Sequence, residues 1–227
     1  IFEKTLSIFA AGSSIGKSIA LDQTAFHFWD KLKQNVVLIS LEISELRKSM
    51  RMDSYGTQIP ISEIRSRKED VIKFYQQKND YKNQLFIKEF PTSSISMNKI
   101  EQYIYHLELY AGLHIEDIGA VLIDYGDILL PKRKLTGNTY LDQGGTFEDM
   151  RGFAQETGTR TISATQFQRS ASELAPEELG EDKLSDSYKK MFIAGLLIST
   201  SSIIIYELLN VALNVCKFNV LYTWNIL

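Results

Sequence analysis

The chain has 227 residues, of which 44% are hydrophobic, and its 25 Lys and Arg nearly balance its 28 Asp and Glu. This length can bury a sizeable core in one large domain or two small ones. The net charge of -3 excludes a histone-like or tail-driven nucleic-acid binder, although a channel can hold a local basic stripe inside a neutral total. One cysteine, Cys216, excludes disulfide and zinc scaffolds. With no signal peptide pattern, the cytosol is the expected compartment.

Short β-rich runs alternate with helical patterns along the chain, which is typical of a parallel sheet covered by helices. The predicted strands are Leu6–Ala10, Val36–Leu41, Gln84–Lys88, Ala120–Asp124, Arg160–Ala164 and Phe192–Ser199. The predicted helices are Lys17–Lys33, Glu45–Ser54, a charged stretch near Ser62–Gln77, Met97–Ala111 and Thr146–Thr157. The pattern of the fourth helix predicts an N-cap at Ser96 and burial of Ile100, Tyr103, Ile104 and Leu107.

The first chemical signal lies between the first predicted strand and the first predicted helix. The segment from Ala11 to Ser18 follows the phosphate-loop pattern G-x-x-x-x-G-K-[ST], except that Ala11 replaces the first glycine. In such a loop, backbone N–H groups bind phosphate oxygens, the lysine contacts the β- and γ-phosphates, and the hydroxyl holds Mg²⁺. A chance Gly-Lys-Ser turn is the alternative. The predicted nucleotide-binding residues are Gly12, Ser13, Ser14, Ile15, Gly16, Lys17 and Ser18.

Three other predicted strands lead into a polar residue that suits phosphate chemistry. Asp124 ends the apolar run Val121-Leu122-Ile123, where a carboxylate can orient Mg²⁺ through water. Glu42 follows the second strand, where it can orient and deprotonate water beside a γ-phosphate. Gln166 lies two residues after the fifth predicted strand, at its polar edge, where its amide can hydrogen-bond that phosphate or its water. The ordinary alternatives are a helix cap, a first-turn helix acid and a surface amide, respectively.

In order and spacing these blocks resemble the RecA-like motor domain of the DnaB-type replicative helicases, including phage versions, over roughly residues 5–198. Ser40-Leu41-Glu42-Ile43-Ser44, with Arg51 downstream, resembles the Ser-Leu-Glu-Met segment of that family. The segment from Ile123 to Leu129 resembles its Walker B region. Residues 147–154 and 165–170 resemble its helix and phosphate-sensing strand, and residues 184–190 with Ile193-Ala194 resemble its fourth block.

The resemblance implies an α/β P-loop NTPase with a mostly parallel sheet and helices on both faces. It implies a homo-hexameric ring that encircles single-stranded DNA and moves along it by hydrolysing ATP or another NTP with Mg²⁺. Primase and loader partners are implied for a full-length protein, in the cytoplasm of a bacterial or phage-infected cell and without a membrane. The implied roles are Lys17 on the phosphates, Ser18 and Asp124 on Mg²⁺, Glu42 as base, Arg51 near the nucleotide and Gln166 as sensor.

The resemblance also implies two DNA-binding regions, because family members place their DNA-facing loops after the Walker B strand and after the sensing strand. Such loops bind backbone phosphate without reading sequence. A solvated charged surface is the ordinary alternative. The basic residues in these regions are Lys132, Arg133 and Lys134, followed by Lys183, Lys189 and Lys190.

Three departures from the family pattern qualify these expectations. The sequence starts immediately before the first predicted strand, so the amino-terminal helical domain of the family is not expected in it. Gly195 stands where the fourth block usually has an acidic residue. Residues 199–227 contain no arginine, so the family's Lys-x-Arg arginine finger is not found. Since such fingers contribute about 10³–10⁵ in rate, this departure favours a slow or silent enzyme.

The end of the chain differs in composition from the rest, because Glu207 and Lys217 are the only charged residues in 191–227. The Ser199–Ser202 cluster interrupts the apolar run and no Lys/Arg bias flanks it, which favours a buried strand over a membrane segment. We assign residues 1–198 to the motor domain and 199–227 to an atypical apolar tail. The loss of charge motivates the hypothesis that this tail is a non-native continuation from a shifted reading frame.

Two other functions are compatible with the sequence. A RecA- or KaiC-like ATPase of different purpose would share the fold and would not respond to DNA. A nucleotide-binding relic or assembly subunit would account for the missing finger, but intact Lys17, Glu42, Asp124 and Gln166 disfavour it. The three histidines, His27, His106 and His114, have no metal-ligand spacing.

Overall fold

The computed structural model describes residues 1–14, 16–78, 80–166, 193–194 and 196–200. Its strands are β1 (Leu6–Ala11), β2 (Asn35–Ser40), β3 (Leu85–Glu89), β4 (Ile118–Asp124), β5 (Arg160–Gln166) and β6 (Leu196–Thr200). They form one sheet in the order β3-β2-β4-β5-β1-β6, and every pairing is parallel. The predicted fold class is therefore confirmed.

Helices cover both faces of the sheet. They are α1 (Lys17–Asp30), α2 (Glu45–Thr57), α3 (Lys68–Gln76), α4 (Met97–Ala111) and α5 (Thr139–Thr157), with short 3₁₀ turns at Ile61–Glu63, Ile115–Asp117 and Gly126–Ile128. Leu38 of β2 belongs to one buried cluster with Phe28 of α1, whereas the next residue, Ile39, belongs to a second cluster with Ile100 of α4 and Phe147 of α5. Because successive strand residues point to opposite faces, burial on both sides produces the continuous apolar runs of the sequence.

The predicted strands agree with the structure except at the last one. The bounds of β1 to β5 differ from the predictions by at most two residues. The predicted start of the last strand at Phe192 is wrong, because Ile193 and Ala194 lie outside the strand and β6 begins at Leu196. Ile193 instead packs into the core, and its carbonyl oxygen accepts a hydrogen bond of 3.0 Å from Nη1 of Arg151.

Four of the five predicted helices begin or end away from their expected bounds. α2 ends at Thr57, three residues after the predicted Ser54. α1 ends at Asp30, not Lys33, since Lys33 has a left-handed backbone with φ 55°. α3 begins only at Lys68, because a 3₁₀ turn and further turns occupy the predicted start. α5 begins at Thr139, seven residues before the prediction, although three glycines lie inside it. Asn138 caps it by accepting a 3.3 Å hydrogen bond from the N–H of Leu141.

α4 has its predicted bounds, but two details of that prediction are wrong. Ser96 occupies the N-cap position and its side chain accepts no capping hydrogen bond. Ile100, Ile104 and Leu107 are buried as predicted, whereas Tyr103 is half-buried, with its ring edge-on to Phe90 at a centroid distance of 6.0 Å.

The apolar residues near the end of the chain contribute a strand to the sheet. β6 pairs in parallel with β1, with Phe9 opposite Ile198 and Ala11 opposite Thr200. In the part of the chain that the structure describes, no helix is long and apolar enough to cross a membrane. Residues 201–227 lie outside the described residues, so the division at residue 198 stays a prediction.

Candidate active site

The sheet order brings the sequence-predicted residues to one edge. β2, β4, β5 and β1 are successive neighbours, with Ser40 opposite Asp124 and Ala11 opposite Gln166. Since all four strands are parallel, their carboxyl ends meet at the same edge, where ligands bind in open α/β sheets. Glu42, Asp124, Gln166 and the loop before α1 therefore lie along a single row.

The backbone conformation of the phosphate loop is compatible with alanine at the first position of the loop but favours glycine at Gly16. Ala11 is the last residue of β1, in extended backbone that any residue adopts. Gly16, by contrast, has φ 94° and ψ 18°, a left-handed conformation that favours glycine. Ser14 is also left-handed, with φ 60°. The predicted loop residue Ile15 lies outside the described residues, while Gly12 and Ser13 complete the turn from β1.

Lys17 is the first residue of α1, and its side chain turns back onto the loop. Its Nζ donates to the carbonyl oxygen of Gly12 at 2.7 Å and to that of Ala11 at 3.3 Å. Burial lowers the pKa of Lys17, and the negative charges of Asp127, Glu42 and Asp124 oppose that effect. The ammonium group therefore lies in the electrostatic field of carboxylates from three separate positions in the sequence.

Ser18 and Asp124 provide the oxygens expected of a magnesium site. The Ser18 hydroxyl donates to Oδ1 of Asp124 at 2.9 Å, and Asp124 is fully buried. Among the described residues, no group of three His, Cys, Asp or Glu side chains could form an all-protein cage. Mg²⁺ usually takes one or two protein oxygens and completes its shell with phosphates and water, so this donor pair fits that ion.

Glu42 lies in a short loop that is tied to Asp124 through the backbone. The N–H of Leu41 donates to the carbonyl oxygen of Asp124 at 2.9 Å. The hydroxyl of Ser40 accepts from the N–H of Ile43 at 3.1 Å, which closes a tight turn around the glutamate. The Glu42 side chain is exposed at the edge of the sheet, where water has access to it.

Asp127, which the sequence reasoning did not assign a role, holds the end of β5. Its Oδ2 accepts from the N–H of Gln166 at 2.9 Å, and the buried hydroxyl of Thr165 lies 2.9 and 3.0 Å from its two carboxylate oxygens. The Gln166 side chain is exposed beside the phosphate loop. The only sequence signal for Asp127 was a second carboxylate close behind Asp124 in the same block.

Behind Asp124 lies a buried charge network that the sequence reasoning missed. Lys48 is fully buried, and its Nζ is 2.5 Å from Oδ1 of Asp22 and 2.5 Å from Oδ2 of Asp124. Burial raises the pKa of Asp22, while Lys48 and Arg51 oppose that shift. Helical spacing was the local sequence indication of these positions. Asp22 lies four residues after Ser18, and Lys48 lies four residues before buried Met52, so each lies on the same helix face as that residue.

Arg51 reaches the site only through this network. Its Nη1 donates to Oδ2 of Asp22 at 2.6 Å, and its side chain is 13% exposed. Asp22 and Lys48 thus stand between Arg51 and Asp124.

The first predicted DNA-binding region lies in the exposed segment before α5. Lys132 forms a 2.7 Å ion pair with Glu101 of α4, Arg133 donates to the carbonyl oxygen of Leu141 at 2.6 Å, and Lys134 is exposed. The second region, with Lys183, Lys189 and Lys190, lies outside the described residues.

Comparisons with known proteins agree with this geometry. The chain is 18% identical to a solved DnaB-like replicative helicase, described with its interactions with primase, at a TM-score of 0.69 over 91% of this chain and 49% of that one. It is also 18% identical to a second solved protein, an ATPase domain, at a TM-score of 0.67 over 88% of this chain and 70% of that one. The comparison with curated proteins gives no match.

These likenesses establish the RecA-like fold, and the chain spans about half the length of the first helicase. The family-level assignment rests on a separate observation. The model of the DnaB-like helicase C-terminal domain matches residues 2–180, which include the phosphate loop, Glu42, Asp124 and Gln166. The chain therefore belongs to the DnaB-like helicase C-terminal domain family.

Proposed function

We propose that this chain is the motor core of a replicative DNA helicase, which hydrolyses ATP or another NTP with Mg²⁺ and moves along single-stranded DNA as a homo-hexameric ring. The observation that carries the proposal is the row of Glu42, Asp124, Gln166 and Lys17 at one edge of the sheet. Phosphoryl transfer needs positioning and electrostatic stabilisation more than covalent chemistry, and this row contains the groups for both.

Each residue has one task in this proposal. The loop N–H groups and the start of α1 bind the phosphates, and Lys17 exchanges the carbonyl oxygens of Gly12 and Ala11 for phosphate oxygens. Ser18 and Asp124 would hold Mg²⁺, which neutralises charge on the phosphates when bound. Glu42, exposed and adjacent, takes the proton of the attacking water, and Gln166 senses the γ-phosphate.

Steady-state hydrolysis of ATP by the purified chain and its Lys17→Ala and Glu42→Gln variants tests these roles. Removing a general base costs about 10²–10⁴ in rate, so Glu42→Gln should bind nucleotide and hardly turn it over. Lys17→Ala should weaken nucleotide binding itself. A Glu42→Gln variant with the parent rate would remove the proposed base, and nucleotide binding without turnover in the parent chain would support the relic or assembly-subunit alternative.

The basic segment of Lys132, Arg133 and Lys134 is proposed to bind the phosphates of the strand. Binding there competes with the ion pair between Lys132 and Glu101. Each phosphate contact adds about 0.7 to the slope of log affinity against log salt, so neutralising all three residues should reduce that slope by about 2. An unchanged slope excludes the segment.

A matched control for this experiment lies at the opposite, amino-terminal edge of the sheet. There three exposed lysines can be neutralised together without touching the proposed DNA segment. Their removal should leave the salt slope within about 0.5 of the parent value. These lysines are Lys4, Lys31 and Lys82.

The partners follow from the same proposal. A full-length protein would engage primase and a loader, and the reaction would take place in the cytoplasm of a bacterial or phage-infected cell. A ring would also bring a neighbouring subunit to each nucleotide, where a cationic group could act as the finger.

A further inference from the structure

Lys48 occupies an unusual place for a lysine, fully buried and centred between two carboxylates on different elements. It extends from α2, whereas Asp22 belongs to α1 and Asp124 ends β4. An ammonium group in a buried position is costly unless it is paired and hydrogen-bonded, and here both partners are also fully buried. The arrangement therefore holds three elements together at the back of the candidate active site.

The two oxygens of Asp124 are divided between opposite sides. Oδ2 accepts from Lys48 at 2.5 Å, and Oδ1 accepts from the Ser18 hydroxyl at 2.9 Å. Turning the plane of the carboxylate by about a quarter turn would break both contacts, whereas a half turn only exchanges two equivalent oxygens. Lys48 therefore fixes the plane of the Asp124 carboxylate, so that one oxygen faces Ser18.

Charge balance in the network supports the same role. Asp22 contacts both Lys48 and Arg51, so the four charged groups Asp22, Lys48, Arg51 and Asp124 sum to zero. The second carboxylate gives the ammonium another acceptor, so its position does not depend on Asp124 alone. A lysine held in this way acts as a fixed donor and not as a mobile counter-ion.

We infer that Lys48 is the positioning residue of the Asp124 carboxylate, which holds the plane of that carboxylate so that one oxygen stays directed toward Ser18 for the magnesium-nucleotide complex. This inference rests on the proposed function, since it concerns the same site. Lys48 touches neither phosphate nor water in this role; it acts through Asp124. Residues behind a metal ligand typically change metal affinity by about 10- to 100-fold when they are removed.

The test measures binding instead of turnover. A fluorescent N-methylanthraniloyl derivative of ATP is titrated in Mg²⁺ and in EDTA, and the ratio of the two affinities gives the gain that Mg²⁺ provides. Lys48→Met should reduce that gain at least about 10-fold, whereas its affinity in EDTA should change less than about threefold. A parental gain in a folded Lys48→Met variant would overturn the inference.

Lys48→Met leaves two buried carboxylates without their cationic partner and can therefore unfold the protein. A second variant keeps the experiment informative in that case. Asp22→Leu with Lys48→Met removes one negative and one positive charge together, and apolar replacement of a buried ion pair is often neutral or stabilising. This double variant should show the same loss of the Mg²⁺ gain with a cooperative thermal transition. A double variant that folds and keeps the parental gain would equally overturn the inference.

The matched control is Lys78→Met, which removes a lysine that is paired with a different aspartate of α1. Lys78 contacts Asp30 at 2.6 Å, at the carboxyl end of the helix and away from Asp124. This control should lower stability and leave the Mg²⁺ gain unchanged. If Lys78→Met lost as much of the Mg²⁺ gain as Lys48→Met, the effect would be due to general destabilisation, and the positioning role would be refuted. A parent chain that binds no nucleotide would contradict the proposed function itself, which separates the two failures.

Discussion

The carboxylate of Asp127 connects the end of β4 to the end of β5, and its removal should affect both stability and turnover. Asp127 follows β4, yet it accepts hydrogen bonds from the Thr165 hydroxyl and from the N–H of Gln166 in β5. The perturbation is Asp127→Ala, with Thr165→Val as a second, nearly isosteric change.

The structure sets the expected magnitude. Hydrogen bonds to a charged acceptor contribute about 1.5–3 kcal/mol each to stability. Because Asp127 is only half-buried, we expect Asp127→Ala to lower the free energy of unfolding by about 2–3 kcal/mol in total through the loss of both hydrogen bonds. Thr165 is 1% exposed, so water cannot readily replace the lost acceptor. The two substitutions remove one shared contact, and their effects should be non-additive by about 1–2 kcal/mol.

Urea unfolding of the parent, the two single variants and the double variant measures this coupling in the absence of nucleotide. ATP hydrolysis by the same proteins gives the functional effect: Asp127→Ala should lower the rate more than Thr165→Val, because only Asp127 also holds the Gln166 backbone. Additive unfolding free energies, within about 0.5 kcal/mol, would refute the proposed connection between the two strands.

Two further outcomes follow from backbone conformation and from charge. Gly16→Ala forces alanine into the left-handed region at a cost of about 1–2 kcal/mol. In equilibrium titration this variant should bind nucleotide about 5- to 30-fold more weakly than the parent. Ala11→Gly changes a residue in extended backbone, so it should change the affinity by only about twofold. Burial would raise the pKa of Asp30, but hydrogen bonds from Lys78 and Lys31 outweigh it and hold that pKa below its usual value. This stabilisation is present above the unfolded-state pKa of about 3.9 and disappears as pH falls through the lower folded-state pKa. At neutral pH, urea unfolding should therefore show Asp30→Asn to be less stable than the parent by about 1.5–3 kcal/mol. Below about pH 4 this difference in unfolding free energy should shrink. A loss of nucleotide affinity in Ala11→Gly equal to that in Gly16→Ala, or a deficit of Asp30→Asn independent of pH, would contradict these expectations.

The strands could be predicted because burial on both faces leaves a simple trace in the sequence. Val36 to Ile39 are all fully buried, two on each side of the sheet, and appear as one uninterrupted apolar run. Helix starts were harder to predict. The glycines in the first turns of α5 have poor helix propensity, and the Asn138 cap and tertiary packing override it.

The site could be predicted as a set of residues but not as an arrangement. Glu42, Asp124 and Gln166 each follow a buried strand, and parallel strands place such residues at one edge. Which strands are neighbours depends on long-range packing that no local pattern encodes. The placement of β5 between β4 and β1, which brings Gln166 beside Ala11, appears only in the folded chain.

The buried network was missed because its members have the composition of a solvated surface. Lysine and aspartate are rarely fully buried, so Lys48 and Asp22 were given no role. Their burial depends on each other and on Asp124, which lies 76 residues after Lys48. Helical spacing from Met52 was the local sign of a buried position at residue 48, but the partner charges could be identified only in three dimensions.

A DNA-dependent motor is tested most directly by ATP hydrolysis by the purified chain over a range of concentrations of a long single-stranded oligonucleotide, with Lys17→Ala as the blank. We expect hydrolysis that rises with the oligonucleotide concentration and is absent from the Lys17→Ala protein. Hydrolysis that depends on Lys17 but is indifferent to the oligonucleotide would contradict the helicase assignment and favour a RecA-like ATPase of another purpose.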